Sequence, residues 1–194
     1  MVNYAEIIVR LFHFSDDPNI GIFMPRPARI SAKRPIGDEW LNGPLVWAID
    51  ELHQPMYLFP RDCPRVLCWP TPTTTPEDYE RWWGERSSRM IAHIEWTWLD
   101  CLATGLLHRY ELPEAKFMSL HDAGMWVSRL PVTPIKCETL SDLLGELRGQ
   151  GVELRIMESL ASLKELWKTS LHVSGIRLRN AHDWESQDSG NGQK

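Results

Sequence analysis

The apolar positions of this chain come in short runs broken by glycine, proline and polar pairs. Residues 7–14 are β-branched and aromatic and predict a first strand, and Ser15-Asp16-Asp17-Pro18-Asn19 predicts the turn after it. Residues 45–49, 65–69, 89–95, 106–112, 116–120, 125–129, 133–138 and 152–156 read as further strands, the third of them by apolar/polar alternation. Helical signals are fewer. Thr75-Pro76-Glu77-Asp78 supplies a cap, a first-turn proline and first-turn acids, and that helix ends near Gly84. Pro55 opens a short helix to Phe59, and another over 98–103 stops at Gly105. Leu140, Leu143, Leu144 and Leu147 have helical spacing, closed by Gly149 or Gly151. Residues 160–169 form an amphipathic helix capped by Ser159, while 171–181 suit a strand or a helix. Residues 24–43, with three prolines, read as a long irregular loop. Many short strands with helices between them give the α+β class with a mixed or antiparallel sheet.

Composition narrows this picture. A length of 194 residues with 43% hydrophobic residues suits one globular domain, assigned to residues 1–181, followed by a polar, disordered tail at 182–194. A net charge of −5 argues against general nucleic-acid binding. The start carries no signal-peptide pattern, and no apolar run reaches the ~18 residues of a membrane span. Cys63, Cys68, Cys101 and Cys137 form no CxxC pair, which suits free thiols in a reducing, cytoplasmic setting. A monomer or homodimer without a membrane partner is expected.

The densest polar cluster in an apolar setting is 46–65, with two arginines, His53, Tyr57 and Cys63. Arg61-Asp62-Cys63-Pro64-Arg65 reads either as an arginine–carboxylate pair pinning a turn or as an anion clamp, the first favoured. His53, Cys63 and Cys68 lack zinc-ligand spacing, so no metal site is expected. His13 lies between Phe12 and Phe14, so alternation sends it to the sheet face opposite the phenylalanines, with Ser15 and Asp16 in the turn beyond. Arg26, in Met24-Pro25-Arg26-Pro27, sits on a stiff segment able to aim a guanidinium at phosphate or carboxylate. Trp126 and Ser128 share one strand face. Sequences of the GxSxG, HExxH, GxGxxG and Walker types do not occur.

Leu11-Phe12-His13-Phe14-Ser15, Asn19-Ile20 and Val46-Trp47-Ala48-Ile49 resemble the opening of ADP-ribosyltransferase-like domains. The segment from Met125 to Ile135 resembles their strand-turn-strand. This resemblance implies a bent, split sheet, NAD as cofactor, His13 against its ribose and Trp47 on the nicotinamide side. Where that superfamily has a catalytic glutamate, this chain has Met125, Trp126 and Ser128, with Asp122 in the turn before. HFS-D-P, VWAID, FPRDCPR, WVSR-PV-P and IR-RNA also resemble an uncharacterised family of small bacterial proteins over residues 11–181.

The expectation is therefore a small enzyme taking a nucleotide-like or anionic small molecule. His13, Ser15, Trp126 and Ser128 are its catalytic candidates, and Arg26, Trp47, Tyr57 and Arg61 its binding candidates. The alternatives are a cofactor-free isomerase or lyase with His13 as acid/base, and a non-catalytic binding module.

Overall fold

The computed structural model describes residues 9–28 and 34–185. It is an α+β protein with two sheets and a few short helices. The strands are β1 (Leu11–Ser15), β2 (Val46–Asp50), β3 (Arg65–Trp69), β4 (Met90–Glu95), β5 (Leu107–Leu112), β6 (Met118–Ser119), β7 (Met125–Ser128), β8 (Lys136–Leu140), β9 (Val152–Met157) and β10 (His172–Ile176). They form a six-stranded sheet, β6-β7-β2-β1-β5-β8, and a four-stranded sheet, β10-β3-β4-β9. The chain divides into two compact units: Met1–Tyr57 with Leu107–Leu140, and Leu58–Leu106 with Ser141–Lys194.

In the first unit every pairing is antiparallel. Paired residues share a face, so the register sorts the side chains. Leu11, His13 and Ser15 lie with Val46, Ala48, Tyr110, Trp126 and Ser128 on one face. Phe12 and Phe14 lie with Trp47, Ile49, Arg109, Glu111 and Val127 on the other. On the first face, Leu11, Val46, Ala48, Tyr110 and Leu112 are covered by Phe23, Ile20 and Val132. Phe23 is held there by exchanging backbone hydrogen bonds with Val132 at 2.8 and 2.9 Å. Each large apolar side chain buried in such a cluster contributes about 1.5–3 kcal/mol. On the second face, Leu41, Leu45 and Val127 pack with Trp40, Trp47 and Leu120. The loop predicted at 24–43 is thus tied at both ends: Arg26 and Leu45 exchange backbone bonds at 3.2 and 3.1 Å, and Glu39–Asn42 forms a 3-10 turn. Residues 29–33 lie outside the described residues.

In the second unit β3 runs antiparallel to β4 and β10, and β4 runs parallel to β9. The alternation predicted over 89–95 does not become a half-exposed strand. β4 is an inner strand buried along its whole length, His93 and Glu95 included. Leu160, Leu163 and Leu166, from the 3-10 segment Leu160–Lys168, join Val66, Cys68, Ile91 and Trp83 in its core. Thr75 caps the predicted helix start by accepting from the Asp78 N–H, and that helix runs into a π turn, Tyr79–Trp83. Gly84 closes it at φ +63°, a conformation that favours glycine.

Several boundaries differ from the sequence reading. Residues 116–120 hold the end of a 3-10 turn, Glu114–Lys116, and the two-residue β6, because β6 pairs with only two residues of β7. The strand predicted over 133–138 starts after Pro134 and runs Lys136–Leu140. Residues 171–181 are both strand and helix: β10, then Arg177 at φ 58°, then the 3-10 turn Leu178–Asn180. At the predicted tail, His182 N–H donates to the Glu95 carboxylate at 3.0 Å and Trp184 meets Trp167 edge-on at 5.7 Å. Residues 186–194 lie outside the described residues.

Candidate functional site

The sequence-derived candidates of the first unit fall on both sheet faces. β1 and β2 pair only as Leu11–Asp50 and Phe12–Ile49. Beyond that point the His13 imidazole reaches across, and its Nδ1 lies 2.8 Å from the Trp47 carbonyl oxygen. Its ring packs on Phe23 with centroids 4.7 Å apart. Nδ1–H therefore serves as the donor, which fixes the tautomer of the neutral ring. Ser15 and Ser128, on the same face, are buried and use their hydroxyls in local turns. Ser15 Oγ accepts from Asp17 N–H at 3.1 Å, and Ser128 Oγ accepts from Leu130 N–H at 3.1 Å. Trp126 packs against the apolar cluster of that face. Tyr57 belongs to the other face: it stacks on Phe14 at 6.4 Å and donates to Met125 Sδ at 3.7 Å.

The register puts Arg26 and Trp47 on one sheet face. The Arg26–Leu45 bridge puts Arg26 on the face of Leu45, which packs with Trp47. Two further arginines, which the sequence reading passed over, complete the group. The Arg34 guanidinium lies 5.8 Å from the Trp47 ring centroid, and that of Arg129 lies 4.8 Å from the Trp40 ring centroid. Among the described residues, Arg26, Arg34 and Arg129 make no ion pair and no side-chain hydrogen bond, and Arg34 Nε is buried without an acceptor. Glu39, on the same loop as Arg34, accepts from the Gly37 N–H at 2.9 Å. A buried donor left unsatisfied costs about 1–3 kcal/mol. Arg26 and Arg129 are exposed, and Arg34 is half-buried.

A second constellation closes β2. Asp50 Oδ1 accepts from the His53 backbone N–H at 2.8 Å and lies 2.7 Å from His53 Nδ1. Both side chains are about one-fifth exposed, at 20% and 19%. Gly124, at φ +70°, presses on this pair so closely that a Cβ there would overlap both His53 Nδ1 and Asp50 Oδ1. His121 and Ala123 of the same loop also have positive φ, 53° and 43°. The D-x-x-H spacing of an Asx-type turn was the sequence signal for this contact.

In the second unit the FPRDCPR and IR-RNA segments clasp each other. Arg177 Nε donates to the Arg61 carbonyl at 3.2 Å, and Asn180 Nδ2 donates to the Asp62 carbonyl at 2.7 Å. Asp62 faces Arg177 at 3.8 Å. Arg65 donates to the Cys63 carbonyl at 2.9 Å and lies over Phe59. Burial pushes the Cys63 thiol up to about 12 and the Cys68 thiol up to about 11, so neither is a thiolate at neutral pH. Burial likewise lowers His93 to about 4, and its Nδ1 faces the Val66 carbonyl at 3.1 Å. The buried Glu95 carboxylate accepts from Leu160 and His182 N–H groups. These groups tie backbone together.

Two sheets, short helices and a clasp built from sequence motifs define the class as α+β. The chain belongs to a family of unknown function (DUF6886), whose model matches residues 12–181. No curated protein and no solved structure matches it.

Proposed function

We propose that the first unit binds an anionic small molecule on the face formed by Arg26, Arg34, Arg129, Trp40 and Trp47. One observation carries this reading: Arg34 stacks on Trp47 with a buried, acceptorless Nε, beside two more arginines that have no acid partner. An anion supplies the missing charge, and guanidinium forks suit phosphate and carboxylate geometry. NAD, ADP-ribose and nicotinamide are the first ligands to offer, because the opening of the chain resembles ADP-ribosyltransferase-like domains. Ribosyl transfer itself has less support, since β7 presents Met125, Trp126 and Ser128 where the carboxylate would stand. The test is thermal unfolding with and without NAD, ADP-ribose, pyrophosphate and nicotinamide. A phosphate-bearing ligand at about 100 times its dissociation constant stabilises by about 2.7 kcal/mol. Absence of any shift with all three phosphate-bearing ligands rejects the proposal.

The Asp50–His53 contact favours a second reading, proton-transfer chemistry of the isomerase or lyase kind. A carboxylate on Nδ1 orients the imidazole and fixes its tautomer. The base is then His53 rather than His13. Consumption of a metabolite by the wild type but not by His53→Gln supports it, and equal consumption by both proteins rejects it.

A further inference from the structure

The arginine–tryptophan face also specifies the class of ligand, an inference that rests on the binding proposal above. Three guanidiniums without acid partners exceed what one carboxylate offsets. A phosphate monoester carries about 1.5 to 2 negative charges, and a diphosphate carries more. Charge alone would be served by arginines standing in solvent. Here two of the three lie over indole rings, and Trp40 and Trp47 pack on an apolar floor that includes Leu45 and Val127. Guanidinium and indole planes are surfaces on which a flat ring stacks, and the guanidiniums also hold an anion. Single-ring metabolites without charge would leave the arginines uncompensated, and inorganic anions would leave the indoles uncovered. We infer that the ligand joins both features, a flat heteroaromatic ring and a phosphate or diphosphate, which is the chemistry of a nucleoside phosphate. Its phosphates would take the guanidiniums of Arg26, Arg34 and Arg129, and its base would cover an indole.

Calorimetric titration of the full chain with ADP, adenosine and inorganic pyrophosphate separates the contributions. Stacking of one base on an aromatic side chain predicts ADP binding about tenfold or more tighter than pyrophosphate. Adenosine, lacking charge, should be weaker than ADP by at least the same factor. Trp40→Leu and Trp47→Leu, each checked for unchanged unfolding temperature, should erase the preference for ADP over pyrophosphate in at least one case. Pyrophosphate binding as tightly as ADP would overturn the nucleoside phosphate while leaving the anion site standing. Adenosine matching ADP would overturn the role of the phosphates. Failure of all three to bind would overturn both readings.

Discussion

The first unit uses arginines over aromatic rings twice, with opposite electrostatic outcomes. Arg10 and Arg109 flank Phe12 at 5.0 and 5.4 Å from its ring centroid. Both are neutralised: Arg10 takes Glu111 in a fork at 3.2 and 3.0 Å and also pairs with Glu51, while Arg109 takes Glu138 at 2.7 Å and the buried Gln54 at 3.0 Å. Among the described residues, Arg34 and Arg129 lie over Trp47 and Trp40 without a carboxylate partner. The first set completes a cross-strand ladder over β1, β5 and β8. The second set is a half-finished version of the same device, and an external anion finishes it. This contrast separates structural cations from binding cations by what they already hold, not by where they fall in the sequence.

The largest expected effect is on binding. Arg34→Ala with Arg129→Ala removes two charge-assisted contacts of about 1.5–3 kcal/mol each, so affinity for a phosphate ligand should fall about a hundredfold or more by calorimetry. Unfolding temperature should hold or rise, because repulsion is relieved. The mirror-image change, Arg109→Ala, leaves the buried Gln54 without its partner. It should cost about 1–3 kcal/mol in denaturant unfolding and leave ligand affinity within about twofold. If Arg109→Ala abolished binding instead, the two sets would not be distinct.

Acid should act on the neutralised set. Hydrogen bonds and charge from Arg10 and Lys136 hold the Glu111 carboxyl below its ordinary 4.5, and Arg109 does the same for Glu138. Lowered folded values mean that this stability is present above about pH 4.5 and is lost as pH falls through the folded values. His93 adds a separate decline from its ordinary 6.5 down to about 4, since burial favours its neutral form. Comparing the wild type with Glu111→Gln/Glu138→Gln isolates the carboxylates: the double variant should have a flatter stability profile below pH 4.5. An unchanged profile would remove them from the ladder's energetics. The smallest effect is salt. Raising ionic strength from about 0.05 to 0.2 M should weaken phosphate binding by a few-fold through screening, while the half-buried Arg109–Glu138 pair responds less.

Local signals were legible where the structure is local. The Thr75 cap, the stop at Gly84 and the 65–69 strand are set within a few residues, and the α+β class follows from their tally. The division into two sheets was not, because it rests on pairings such as β4 with β9 that close over some sixty positions. The same limit applies to the candidate site. Arg26 and Trp47 could be picked out by residue type, but Arg34, Trp40 and Arg129 join them only through the Arg26–Leu45 bridge and the β2–β7 register. His13 looked like a reacting group because alternation puts it opposite Phe12 and Phe14, beside a turn. Its contact with the Trp47 carbonyl depends on where β1 and β2 part, which no spacing within β1 records.

The most direct measurement is a calorimetric titration of ADP into the wild type and into the folded Arg34→Ala/Arg129→Ala protein. Saturable 1:1 binding by the wild type, weakened about a hundredfold or more in the variant, is the predicted result. Equal binding by both proteins, or none by the wild type, would contradict the assignment of these arginines to a ligand.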